Sequence, residues 1–138
     1  MSTDIIKGTG TILLIDDEKM IIEVGRELLE ELGYTVIPVM GGQAAIDVFK
    51  ENHGKIDLII MDMIMPGMSG SETFDHLKEI NPEAKILLSS GYSIDGQASK
   101  ILRRGCDGFI QKPFNMNQLA EKIRKILVNP ESELNNDK

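Results

Sequence analysis

The sequence predicts an α/β fold: a single (βα)5 domain, with five parallel strands in one doubly wound sheet and five helices covering its two faces. Three observations carry that expectation. Short apolar runs recur along the chain, and TILLI, DLIIM and KILLS are apolar nearly throughout, as strands buried on both faces must be. Segments with helical spacing of apolar residues lie between the runs, so strand and helix alternate, which implies βαβ units with right-handed crossovers. A length of 138 residues with 41% hydrophobic content suits one domain around one core.

Residues 11–15 read as the first strand. The first helix, 19–32, carries apolar residues at Ile21, Val24, Leu28 and Leu32, one stripe of a 3.6-residue repeat, and Gly33 stops it. Residues 34–39 form a second strand rich in β-branched side chains. A short helix over 43–52 turns Ala45, Ile46 and Phe49 inward. The third strand, 57–61, runs straight into Asp62. Residues 69–80 form a helix opened by a capping-box pattern, Ser69 with Glu72 three residues on. The fourth strand spans 84–89, the fourth helix 95–104 with Gly105 closing it, and the fifth strand 107–111. The last helix, 115–128, has Asn115 and Gln118 suited to cap it. The polar ends, 1–10 and 129–138, are expected to fray as tails around a domain of residues 11–128.

The bulk properties narrow the function. A net charge of −7 without a long Lys/Arg cluster argues against a nucleic-acid surface. No apolar run approaches a membrane span, and MSTDIIKGTG lacks the apolar core of a signal peptide, so a cytoplasmic domain without membrane contact is expected. The single cysteine, Cys106, excludes an internal disulfide and reads as a small semi-buried hydrophobe. His53 and His76 stand in different segments and read as surface or structural residues. Met61, Met63, Met65 and Met68 read as core and loop packing, not as a soft-metal site.

An open parallel sheet places its site at the carboxyl ends of its strands. The first strand runs into Asp16-Asp17-Glu18, the third into Asp62, the fourth into Ser89-Ser90 and the fifth into Lys112-Pro113. Two adjacent acids facing a third carboxylate repel one another and raise one another's pKa. A hard, oxygen-seeking cation relieves the repulsion, and Mg²⁺ is the natural choice because it takes few carboxylates and keeps waters. Lys112 and Ser90 complete a site for phosphoryl oxygens, one by charge and one by a donated hydrogen bond. Asp62 is then placed as a nucleophile that becomes an aspartyl phosphate. Each piece alone has a plainer reading, the Asp pair as a helix cap and Asp62 as the start of a turn. Four such groups at one sheet edge point instead to phosphoryl chemistry.

LLIDDE at 13–18, DMIMPGMSG at 62–70, LLSSGY at 87–92 and FIQKPF at 109–114 together resemble the receiver domains of two-component response regulators, over about residues 11–128. The resemblance implies a flavodoxin-like sheet of strand order 2-1-3-4-5 and a phosphate-accepting switch in a phosphorelay. Asp62 would take its phosphoryl group from the phosphohistidine of a histidine kinase or a histidine phosphotransfer domain. Asp17, Asp62 and the backbone carbonyl of Ile64 would hold Mg²⁺, with Asp16 reaching it through water. Lys112, joined to Pro113 by an expected cis bond, would contact the phosphoryl group. Ser90 would move to grip it, and Phe109 would be the switch aromatic. Ile64 and Tyr92 occupy the two positions past which water attacks in this family, and neither can orient a water, which implies a long-lived phosphoryl group. Signalling would run through the face of the fourth helix, fifth strand and fifth helix, and a homodimer through that face is left open.

A Mg²⁺-dependent phosphohydrolase with an Asp nucleophile is the alternative. Such enzymes often place an acid/base Asp two residues after the first, where this chain has Ile64, which cannot transfer protons. A docking module that has lost phosphorylation is opposed by the intact set Asp16, Asp17, Asp62, Ser90 and Lys112. A flavodoxin-like cofactor carrier would need a phosphate-cradling loop rich in Gly, Ser and Thr after the first strand, which is absent. The expected role is therefore a phospho-acceptor and not an enzyme in its own right. GTGTILLIDDE, LLSSGYSIDGQA and RGCDGFIQKPF most resemble the receivers at the C-terminus of hybrid sensor histidine kinases, with a stand-alone regulator as the other possibility.

Overall fold

Strands and helices alternate through the described residues: β1 (Thr11–Asp16), α1 (Lys19–Glu31), β2 (Thr35–Met40), α2 (Gly42–Asn52), β3 (Leu58–Asp62), α3 (Gly70–Ile80), β4 (Ile86–Ser90), α4 (Gly96–Arg103), β5 (Gly108–Gln111) and α5 (Met116–Leu127). The structure, a computed structural model, describes residues 8–91 and 96–127. All pairings are parallel and the sheet order is β2-β1-β3-β4-β5. The predicted class and strand order are both present.

Side chains alternate across each strand, so each strand feeds two cores. Leu13, Ile15, Ile59, Met61, Ile86 and Leu88 point to the face covered by α2, α3 and α4. Ile12, Leu14, Leu58, Ile60, Leu87 and Ile110 point to the other, under α1 and α5. Burial on both faces explains why these strands carry no polar alternation.

The observed strands shift the expected boundaries in one informative way. Asp16, Asp62 and Ser90 are the last residues of β1, β3 and β4 and do not lie beyond them. The ladder pairs Asp16 with Met40, Asp62 with Ser89 and Ser90 with Gln111. Each polar group is thus fixed by a sheet backbone and not by a loop.

The helical phase of α1 differs from the expected one. Ile22, Gly25 and Leu29 face the core, followed by Leu32 just past the helix, whereas Val24 is 53% exposed and Ile21 and Leu28 are half-buried. The doublets Ile21-Ile22 and Leu28-Leu29 support two stripes one residue apart. Gly25 decides between them: a Cβ there would lie 3.1 Å from Leu14 Cδ2, so a residue without a side chain lets the helix approach β1. Ala45, Ile46 and Phe49 of α2 are buried as expected. The capping box of α3 is complete, Glu72 N–H donating to Ser69 Oγ at 3.1 Å and Ser69 N–H to Glu72 Oε1 at 3.2 Å. Asn115 and Gln118 exchange the same pair of bonds at the start of α5.

Gly8 and Gly10, placed in the N-terminal tail on sequence grounds, are hydrogen-bonded: Gly8 N–H donates to Leu32 O at 2.9 Å, and Thr35 N–H donates to Gly10 O at 2.8 Å. β2 is an edge strand with Pro38 opposite Leu14. No described helix is long and apolar enough to cross a membrane.

Candidate functional site

The carboxyl ends of β1, β3, β4 and β5 converge on one cluster. Asp16 is 2% exposed and Asp62 6% exposed, burial that carboxylates tolerate only with partners. Asp16 Oδ1 accepts from the backbone N–H of Asp17 at 2.7 Å and of Glu18 at 3.0 Å. Its Oδ2 accepts from Lys112 Nζ at 2.7 Å, and the same ammonium donates to Asp62 Oδ1 at 3.1 Å. Lys112 thus bridges two buried carboxylates. Its own backbone is tied to the sheet by an N–H bond to Ser90 O at 2.7 Å, and the Lys112–Pro113 peptide is cis.

The charges leave a clear signature. Burial pushes the Asp62 carboxyl from 3.8 up to about 6; Lys112 pulls it down, and the charges of Asp16 and Asp17 push it up further. The mutual repulsion expected from the sequence is therefore present at Asp62, but burial is the larger cause. Burial pulls the Lys112 ammonium down, yet its bonds to Asp16 and the charge of Asp62 outweigh that and raise it. One ammonium, bonded to two of the three carboxylates, leaves the cluster with an excess of negative charge.

One oxygen from each of Asp16, Asp17 and Asp62 falls within 4.8 Å of the others. Oxygens of an octahedral Mg²⁺ shell stand about 3 Å apart when adjacent and about 4.2 Å when opposite, so these groups lie close enough to share one ion directly or through its waters. The donor set is all oxygen, which suits a hard cation and not a soft one. Asp16 already accepts three hydrogen bonds, so Asp17 and the remaining oxygen of Asp62 are the groups with most capacity for a cation. The open cavity in front of the cluster, about 480 Å³, is lined by Asp17, Glu18, Asp62, Ile64, Ser90, Gly91 and Lys112. Its volume admits a phosphoryl group with its waters.

The structure brings Asp16, Asp17, Asp62, Ile64, Ser90 and Lys112 together. Ile64, at the rim, is 52% exposed. Phe109 stands apart, half-buried in β5 against the core under α2, α3 and α4. Tyr92 lies outside the described residues. Cys106 is half-buried, and burial pushes its thiol up, in keeping with a packing role. Met61, Met63 and Met65 are buried in the core.

Two features escaped the sequence reading. Glu18 lines the cavity, and its N–H helps fix Asp16; its adjacency to the Asp pair was the available signal. A second, apolar groove of about 410 Å³ runs beside the cavity, between Ile21, Val24 and Leu28 of α1 and the Pro113-Phe114 turn, and shares Gly91 and Lys112 with it. The half of α1 expected in the core lines this groove.

Comparison with known proteins agrees with this geometry. The family described as the response regulator receiver domain matches residues 12–124. The chain is 32% identical to the sensor kinase CckA of Brucella abortus over 126 residues, covering 91% of this chain and 13% of that protein. It is 37% identical to the transcriptional regulatory protein YvrH of Bacillus subtilis over 116 residues, covering 83% of this chain and 48% of that one. The chain therefore spans half or less of the length of these relatives. Among solved structures, a response regulator receiver domain protein from Clostridium thermocellum superposes with a TM-score of 0.83 at 29% identity, over 91% of this chain and 98% of that one.

Proposed function

Because the chain belongs to the response regulator receiver domain family and is a phospho-acceptor module of two-component signalling, we propose that Asp62 is its phosphorylated residue and a phosphohistidine its donor. The observation that carries this assignment is a buried carboxylate with a raised pKa at the end of β3, hydrogen-bonded to a lysine and facing an open cavity. In the reaction, Asp62 attacks phosphorus, a P–O bond forms as the P–N bond breaks, and the imidazole leaves as the neutral base after taking a proton. Lys112 swings its ammonium from the carboxylates onto a phosphoryl oxygen, and Ser90 donates a hydrogen bond to another. Asp17, Asp62 and the Ile64 carbonyl are the groups that would hold Mg²⁺, with Asp16 one water removed, and the ion when bound would neutralise charge on the transferring group.

The donor is a histidine kinase or a histidine phosphotransfer domain. The apolar groove beside α1 supports such a partner, since a helix laid along Ile21, Val24 and Leu28 would bring a histidine to the cavity across the shared Lys112. A receiver from a hybrid kinase, like that of CckA, is the preferred context. Incubation with acetyl phosphate and Mg²⁺, borohydride trapping and mass spectrometry should locate the label at Asp62, with loss of labelling in EDTA. Labelling of Asp62→Asn at the wild-type level would sink the assignment.

The phosphoryl group should also be long-lived. Ile64 stands at the cavity rim with a side chain that cannot orient a water. Ile64→Asn combined with Tyr92→Glu should speed loss of the label about tenfold. An unchanged decay rate would show that these positions do not set the lifetime.

A further inference from the structure

Another cavity, of about 230 Å³, opens between the start of α3 and the length of α4, and its chemistry is the reverse of the acidic cluster's. Met63 and Ile101, both buried, supply its apolar lining. Ser71, Gln97, Lys100 and Arg104 supply polar lining, and no acid lines it among the described residues.

Each of those four side chains has a hydrogen to give. Arg104 is fixed from α3: its Nε donates to Asp75 Oδ1 at 3.1 Å and its Nη2 to Ser71 Oγ at 2.6 Å, and its guanidinium carbon stands 5.7 Å from the centre of the Phe74 ring. Two of its nitrogens are thus engaged, and Nη1 has no partner among the described residues. Ser71 Oγ accepts from Arg104, so its own hydrogen remains to be donated. Lys100 is exposed and forms no ion pair among the described residues. The acids of this part of α3 are occupied: Glu72 closes the capping box on Ser69, and Asp75 balances Arg104. Lys100 therefore brings a positive charge that nothing in the cavity lining offsets.

We infer that this α3–α4 cavity binds a small organic anion, with its acid group held by Lys100, Arg104 and Ser71 and its apolar body against Met63 and Ile101. An ionised acid group only accepts hydrogen bonds, which matches a lining of convergent donors, and its bonds to cations are the strong ones. A metal cation would meet like charge there, and a neutral apolar molecule would cover these donors without satisfying them. A dry cavity of about 150 Å³ holds a benzene molecule, so this one has room for a ring with its acid group. The occupant would touch α4 and, through Met63, the residue that follows Asp62. Binding itself does not depend on the chemistry assigned to Asp62.

Phenylphosphonate is a suitable probe, because its P–C bond gives Asp62 no phosphoryl group to accept. The test uses the full, metal-free chain in a buffer without phosphate. Amide resonances of residues 63, 69–71 and 97–104 should shift and saturate with a Kd of about 1 mM, in line with a ligand of about ten heavy atoms. Methylphosphonate, which lacks the ring, and benzyl alcohol, which lacks the charge, should each bind about fivefold more weakly or worse. Lys100→Met removes an exposed ammonium that holds nothing in the fold, so it should leave the urea midpoint unchanged and weaken phenylphosphonate about tenfold. Shifts centred on Asp16, Asp17, Asp62 and Lys112, equal binding of benzyl alcohol, a response that never saturates, or wild-type affinity in Lys100→Met would each overturn the inference.

Discussion

Asp62→Asn is expected to stabilise the metal-free protein at neutral pH by roughly 3 kcal/mol, at about 1.4 kcal/mol for each tenfold change in proton affinity. The buried carboxyl titrates at about 6 in the folded chain against 3.8 ordinarily. Between those values the folded state binds a proton that the unfolded state does not, so stability falls as pH rises through the window. Above it the full cost of an ionised Asp62 is present, and below 3.8 it is gone. The asparagine keeps the shape and removes the charge, while Lys112 retains Asp16. Urea midpoints in EDTA across this range should therefore diverge between wild type and variant as pH rises and converge as it falls. Mg²⁺ at about ten times its Kd should return roughly 1.4 kcal/mol to wild type and much less to the variant. A variant less stable than wild type at neutral pH would show that the Lys112 bridge outweighs the repulsion.

Gly70→Ala should cost about 3 kcal/mol, the upper part of the range for overpacked sites. Gly70 opens α3 and donates its N–H to Met63 O at 3.0 Å, closing the loop that follows Asp62. A Cβ there would collide with the Met63 carbonyl oxygen and come within 2.8 Å of its Cα. Those atoms are backbone, one residue from the β3 ladder, and cannot rotate away. The loop must open or the helix must shift, and either moves Ile64 and the carboxylate it flanks. Gly54→Ala, at a position with nothing within 4 Å among the described residues, is the control and should be close to neutral. A Gly70→Ala protein with a wild-type urea midpoint would mean that the loop is more pliant than its contacts imply.

The fold was legible because β1, β3 and β4 are buried on both faces and must be apolar throughout, a pattern no exposed segment imitates. The site was legible because strand ends place polar residues predictably, so Asp16, Asp62, Ser90 and Lys112 could be assembled from order alone. Two things were not. The phase of α1 turns on Gly25, whose close approach to Leu14 is a property of packing and leaves no mark in an apolar repeat. The raised titration of Asp62 was anticipated from its acidic neighbours, but its larger cause is burial, which depends on the lysine arriving from β5 and on loops closing around the strand end. The groove along Ile21, Val24 and Leu28 follows from that same phase, since the stripe that Gly25 turns away from the sheet lines a surface.

Pro38 has a consequence for how this protein behaves when concentrated. In the parallel ladder, Thr35 N–H and Gly41 N–H donate inward, to Gly10 and Asp16, so the odd residues of β2 face β1 and the even ones face outward. The outward row is Val36, Pro38 and Met40, and its middle member has no hydrogen to give. A strand from a misfolded or crowded neighbour would find two donors four residues apart with a ring between them. Fibrillar growth and strand exchange are thereby discouraged along the longer flank of the sheet, which among the described strands leaves the four residues of β5 as the other flank.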